Sequence, residues 1–98
     1  MWALSTVTVE ALDLDDENEE KFWSHGIMPR QVDAVLNRPF SVLPNRKNRR
    51  APYILIGVDS SGRCIAIPIE PTHDPVIWRP ITAWYCKGSE YALLPRTR

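Results

Sequence analysis

Tyr53-Ile54-Leu55-Ile56-Gly57-Val58, then Asp59-Ser60-Ser61-Gly62, then Arg63-Cys64-Ile65-Ala66-Ile67-Pro68-Ile69-Glu70 is the stretch whose reading decides the fold. Two dense apolar runs flank a turn cluster that carries glycine, the pattern of a β-hairpin with a loop longer than two residues. Side chains alternate across a strand. Ile54, Ile56 and Val58 therefore share one face, and Ile65, Ile67 and Ile69 share one face of the partner strand. A third run, Val76 to Tyr85, follows the turn-rich Pro71-Thr72-His73-Asp74-Pro75. Proline cannot donate to a ladder, so Pro68 and Pro80 point to edge or bulged positions.

Upstream of the hairpin, residues 6–14 alternate loosely and contain β-branched residues, which suits a first strand. The acids that follow, Asp15 to Glu20, read as a helix start, with Asp16 as cap and Glu19 three residues on. That helix runs through Lys21, Phe22 and Trp23 and stops at His25-Gly26, where Gly26 can take the left-handed conformation. Pro29 suits the first turn of a second helix. Val32, Val35 and Leu36 give it a core-facing stripe, and Pro39 ends it. From Arg38 to Pro52 the chain is rich in Pro, Asn and Arg and reads as a basic connecting loop. Lys87 to Leu94 can form a short last helix, stopped by Pro95. The resulting order, β-α-α-β-β-β-α, predicts an α+β fold with helices on one side of an antiparallel sheet.

A chain of 98 residues, 44% hydrophobic and 24% charged, is sized for one domain, taken here as residues 1–98, and is neither disordered nor collagen-like. The formal net charge is zero, which excludes a uniformly basic nucleic-acid protein but not a local basic patch. Residues 1–33 carry eight acids and two bases, whereas residues 34–98 carry four acids and ten bases. The acid excess fits helix capping. The base excess falls on the 46–50 segment, on Arg79 and Lys87, and near the C-terminus. No apolar run approaches the ~18–20 residues of a membrane span. Cys64 and Cys86 lack metal-site spacing, and no signal-peptide layout is present, so a reduced cytoplasmic protein is expected. A disulfide would be unusual there, though the spacing does not forbid it. Cys64 then reads as a small packing residue.

Several of these words, in this order, resemble one family. Asp16-Glu17-Asn18, Lys21 and His25-Gly26-Ile27, followed by a second amphipathic helix, resemble the opening of BrnT-type toxins. Ile54-Leu55-Ile56-Gly57, Gly62-Arg63 and Ile65 are similar to the family's Ile-Gly and Gly-Arg hairpin. Arg79-Pro80-Ile81-Thr82-Ala83 stands where the family has an Arg-Ile-Ile-Ser-Ala strand, and Glu90 and Tyr91 fall in its last helix. The resemblance covers roughly residues 10–92. It implies a RelE-like fold, a curved antiparallel sheet backed by helices. It further implies the toxin of a type II toxin–antitoxin system, a metal-independent endoribonuclease that stops translation without a cofactor. The implied partner is a small antitoxin, encoded beside it, through whose complex alone DNA would be contacted; homodimer formation is a further option. The chain departs from the family after Ala83. A strongly basic run is replaced by Trp84-Tyr85-Cys86-Lys87-Gly88-Ser89-Glu90, in which Lys87 alone restores a cation. The alternative is therefore a catalytically inactive protein-interaction module on the same fold.

Cleavage of RNA without metal needs groups that move protons and cations that stabilise the phosphate. His25 or Tyr85 would move protons; Arg79 and Lys87 would stabilise the phosphate, and Glu90 completes the candidate catalytic set. His25 has an alternative role at a helix end, against the terminal carbonyls. Arg79 shares parity with Ile77 and Ile81, so it is either paired inward by Glu70 or Glu90 or turned to a functional face. Arg46, Lys47, Arg49 and Arg50, with Arg63, form the expected RNA-binding set, unless their loop is simply solvated. Trp23 and Trp78 read as core. Trp84, at a family Arg position, and Tyr91 are the expected partner-binding residues. Tyr85 and Tyr91 can stack on a base or merely pack with a wet hydroxyl. No residue set has metal-ligand spacing.

Overall fold

The structure, a computed structural model, describes residues 7–46 and 50–95. In chain order it contains β1 (Ala11–Leu12), α1 (Asp16–Ser24), α2 (Pro29–Ala34) continued by a 3-10 turn (Val35–Asn37), and β2 (Ser41–Pro44). Then follow β3 (Tyr53–Val58), β4 (Cys64–Pro71), β5 (Ile77–Pro80), β6 (Trp84–Tyr85) and a closing 3-10 helix (Gly88–Leu93). The fold is α+β, with a six-stranded mixed sheet in the order β1-β5-β4-β3-β2 and β6 also paired to β4.

The β3–β4 hairpin forms as its alternation predicts, in a register that runs from Tyr53↔Ile69 to Val58↔Cys64. Its turn closes with Gly62 N–H donating to Asp59 O at 3.0 Å, and Gly62 takes a positive φ of 87°. Leu55, Ile65, Ile67 and Ile69 form the sheet side of the main core, against Phe22, Ile27, Val32 and Val35 from the helical layer. Gly57 lets the two layers meet. A Cβ there would lie 2.5 Å from Val35 Cγ1 and 3.0 Å from Phe40 Cβ.

Both helices begin and end by local chemistry. The cap of α1 is Asp15, one residue before the expected Asp16. Asp15 Oδ1 accepts from Asn18 N–H at 2.8 Å, and Asn18 Oδ1 accepts from Asp15 N–H at 2.9 Å. Asn18 displaces Glu19 as the partner because it is buried and its amide also donates to Asp13 O at 3.0 Å. At the other end Gly26 takes φ 74°, its N–H bonds Trp23 O, and Ile27 N–H bonds Phe22 O. Phe22 and Ile27 are both fully buried, the apolar contact that accompanies this terminus. Pro29 opens α2 as expected.

Three readings of the sheet are corrected. The expected strand 6–14 is a two-residue β1, with residues 1–6 outside the described set, and it runs parallel to β5, so the sheet is mixed. The connecting loop 38–52 contains β2, whose Val42 and Leu43 pair with Leu55 and Ile54. The run 76–85 is split into β5 and β6. Pro68 explains the break: Ile81 N–H donates to Pro68 O at 2.9 Å, so the N–H that Pro68 lacks would face this same side. The final helix is a 3-10 helix, held to β2 by Ser41 Oγ donating to Leu93 O at 2.7 Å. Trp84 and Leu94, which flank it in sequence, pack on a second, smaller core of Ile56, Cys64, Ala66 and Cys86 on the other face.

Cys64 and Cys86 are joined in a disulfide, which corrects the expectation of reduced thiols and the reading of Cys64 as a small packing residue. The register Ile65↔Tyr85 sets Cys64 beside Cys86, with Cα atoms 5.3 Å apart, inside the range a disulfide needs. Among the described residues, no helix is long and apolar enough to cross a membrane.

Candidate functional site

An open cleft of about 550 Å³ lies between the α1–α2 turn and the tip of the β3–β4 hairpin, with Tyr85 of β6 at its floor. Trp23, Met28 and Arg30 line one wall, and Ser60, Ser61 and Arg63 line the other. The Tyr85 hydroxyl accepts from Gln31 Nε2 and from Arg63 Nη1, each at 3.0 Å, and donates to Gly26 O at 3.4 Å. The Arg63 guanidinium also lies 5.5 Å from the centroid of the Tyr85 ring, within cation–π range.

Asp59 builds this wall from behind. It is only 3% exposed, and its Oδ1 accepts from Ser61 N–H, Ser61 Oγ and Arg63 N–H, each at 2.9 Å. Its Oδ2 accepts from Gln31 Nε2 at 3.1 Å. Burial pushes the Asp59 carboxyl up, but the donors from Arg63, Gln31 and Ser61 together hold it below the usual carboxylate range. One buried carboxylate thus shapes the turn and positions both Gln31 and Arg63, which in turn hold Tyr85. Arg38 adds a third arginine at the tip, donating to Ser60 O at 3.2 Å. The outward-facing chemistry is cationic and aromatic: Arg30 and Arg63 are exposed, and Trp23 is 58% exposed.

The residues expected to act together occupy four places. Tyr85 and Arg63 meet in the cleft. His25 is the C-cap of α1, its backbone N–H bonded to Phe22 O, one residue before the Gly26 carbonyl that Tyr85 meets. Its ring is not among the lining groups. Arg79 lies elsewhere: it pairs in register with Glu70, whereas Tyr85 pairs with Ile65. Five residues of β4 separate those partners, or about 17 Å at the strand rise. Lys87 and Glu90 sit at the start of the closing 3-10 helix, where Glu90 accepts from Lys87 N–H at 2.8 Å. Both Glu90 oxygens also accept from the Trp84 indole at 3.2 Å. Trp84 is therefore half-buried over the smaller core rather than presented to solvent.

Arg79 follows the inward-paired reading. Its Nε donates to Asp15 Oδ2 at 2.7 Å, Nη1 to Glu70 Oε2 at 2.8 Å and Nη2 to Glu17 Oε1 at 2.6 Å. Hydrogen bonding to Asp15 and Glu70 raises the guanidinium pKa still further. The Arg79 hydrogen bond, followed by that from Asn18 N–H, holds Asp15 below its ordinary value. Arg50 joins the same cluster, 3.4 Å from Glu70 and 3.9 Å from Glu17. Of the other expected RNA contacts, Arg46 is exposed, and Lys47 and Arg49 lie outside the described residues. Tyr91, 56% exposed, lines a hollow of about 350 Å³ that adjoins the cleft through Arg63 and Tyr85.

Trp23, Arg30, Gln31 and Asp59 belong to the site and escaped the sequence. A tryptophan beside phenylalanine in a short helix suggests core, but Asn18 and Phe22, four apart, take the inward positions, so Trp23 faces out, which corrects its reading. The Asp-Ser-Ser-Gly turn was a legible signal for Asp59, since such a carboxylate commonly accepts from N–H groups two residues on. Gln31 carried no such signal. Its partners Asp59 and Tyr85 are 28 and 54 residues away. Among the described residues, no group of His, Cys, Asp and Glu is placed to hold a metal ion. The chain matches no protein-family model, no curated protein and no solved structure.

Proposed function

We propose that the chain binds single-stranded RNA in the cleft above Tyr85, and that it acts by binding rather than by cleavage. The observation that carries this reading is the meeting of Arg30, Arg63 and an exposed Trp23 around one open cleft. A single strand offers phosphates for the arginines and unstacked bases for an aromatic face. Gln31, Ser60 and Ser61 add polar groups for base edges or 2′-hydroxyls. The reading keeps the RNA ligand implied by the BrnT-type resemblance, with a RelE-like sheet backed by helices as its scaffold and the cytoplasm as its setting. It leaves out the nuclease step. The candidates for that step are dispersed, and the three polar edges of Arg79 are taken by carboxylates. An antitoxin-like protein partner is a second reading, favoured by the exposed Tyr91 and Leu93 on the closing 3-10 helix.

The test is fluorescence anisotropy of a labelled oligouridine strand titrated with the chain, and with Trp23→Ala and Arg63→Ala. Loss of one stacked base costs ~1–3 kcal/mol, so Trp23→Ala should weaken binding by about 5- to 150-fold. Affinity should also fall as salt rises. The oligonucleotide should stay intact on prolonged incubation, whereas its cleavage would restore the endoribonuclease reading. Unchanged affinity in both variants removes the cleft from consideration.

A further inference from the structure

We propose that the Cys64–Cys86 disulfide is a redox latch on the cleft: formed, it holds Arg63 and Tyr85 in binding geometry, and reduced, it releases them. This rests on the RNA reading above and concerns the regulation of that site. Each half-cystine follows directly on a cleft residue, Cys64 on Arg63 and Cys86 on Tyr85. The bond spans 22 residues of sequence, so it ties the hairpin tip to the chain that supplies the cleft floor. Besides the side-chain contacts of Arg63 and Gln31 with Tyr85, little backbone pairing ties them at this point. β6 is two residues long, its ladder with β4 is limited to Ile65↔Tyr85 and Ala66↔Trp84, and one further bond runs from Cys86 N–H to Cys64 O at 3.0 Å. The strand is already broken before it, over residues 81–83, where Pro68 offers no donor. A short, interrupted edge segment of this kind opens at low cost unless it is cross-linked.

The position of the bond also allows it to be switched. Both half-cystines are buried, at 4% and 6% exposure. Cys64 nevertheless borders the hollow lined by Gly62 and Tyr91, so a small dithiol reaches the bond from that side once the closing 3-10 helix moves aside. A thiolate of the dithiol attacks one sulfur, the Cys64–Cys86 bond breaks, and a mixed disulfide forms. The second thiol of the reductant then closes on that mixed disulfide. The dithiol ends as its own disulfide, having given two electrons and two protons, and Cys64 and Cys86 end as thiols. In a reducing compartment a protein disulfide is usually transient and sensing, which is the behaviour a latch requires.

With the latch open, the ligand must order the Arg63 and Tyr85 side chains itself, which lowers affinity by about three- to tenfold. The experiment measures oligouridine anisotropy with the oxidised chain, after reduction by dithiothreitol, and after reoxidation. Thiol titration reports the state of the bond, and far-UV circular dichroism reports the fold. The expected result is weaker binding on reduction, recovery on reoxidation, and no redox effect in Arg63→Ala. Equal affinity of the two wild-type states overturns the latch and leaves the RNA reading standing. Loss of the circular dichroism signal on reduction also overturns it, because the bond is then a staple for the whole fold. Binding in neither state overturns the RNA reading and the latch together.

Discussion

Replacing Arg79 by methionine separates a structural arginine from a phosphate ligand. The substitution keeps an unbranched side chain of similar reach and removes the guanidinium that joins Asp15, Glu17 and Glu70. A hydrogen bond to a charged group contributes ~1.5–3 kcal/mol when it is shielded from water. Only Glu70, with 21% of its side chain exposed, qualifies for that value. Asp15 and Glu17 are 40% and 63% exposed, and pairs of that kind contribute ~0–1 kcal/mol each. The sum is about 1.5–5 kcal/mol, or a fall in Tm of roughly 6–40 °C for a domain of this size. Arg79→Lys keeps the charge but not the three-sided geometry, and should lose about half as much. Urea unfolding at pH 7, followed by tryptophan fluorescence, measures both losses. Oligouridine affinity of the folded Arg79→Met chain should stay within about twofold of wild type. A stability loss under about 0.5 kcal/mol together with a tenfold loss of affinity would refute the assignment, because Arg79 would then be serving the ligand.

Three other outcomes follow from the packing and the charges. Gly57→Ala should destabilise by ~1–3 kcal/mol, because its Cβ would meet Val35 Cγ1 at 2.5 Å in a core where Val35 is fully buried; an unchanged urea midpoint would show that the layers can separate freely. Asp15 and Asp59 both sit below their ordinary value of 3.8 in the folded chain, so the unfolded chain takes up protons first on acidification. Their contribution is complete above about pH 5 and is lost as pH falls below 3.8 towards the native values, so Tm should drop less steeply in acid for Asp59→Asn than for wild type; parallel curves would contradict this. Replacing both Cys64 and Cys86 by serine should cost ~3 kcal/mol by the loop-entropy relation for a 22-residue separation, read as a lower urea midpoint of a chain that still folds.

The elements that were legible share one property: their cause lies within a few residues. The alternation of residues 53–70 and the Asp59–Gly62 turn specify a hairpin without reference to the rest of the chain. The same is true of Gly26 after Trp23 and of Pro29 before the stripe of Val32 and Val35. The shift of the α1 cap from Asp16 to Asp15 shows where this locality ends. The choice depends on burial of Asn18, and the second oxygen of Asp15 goes to Arg79, 64 residues away. β2 was hidden for a related reason. Its few apolar residues lie in a stretch dominated by Pro, Asn and Arg, and they become a strand only because β3 offers an unpaired edge.

By itself, then, the sequence determined an α+β chain with a central hairpin, two short helices before it and a division of charge between its two halves. The tertiary structure alone decided what those charges do. Arg79 and Arg50 are drawn to Asp15, Glu17 and Glu70, whereas Arg30 and Arg63 remain exposed beside Tyr85 and Trp23. It also decided that Cys64 meets Cys86 and that Gln31 reaches both Asp59 and Tyr85. Turn chemistry and hydrophobic period act between neighbours and can be read along a line. Ion pairs, cross-links and clefts act through space, so they exist only once the sheet has set the register that brings distant residues together.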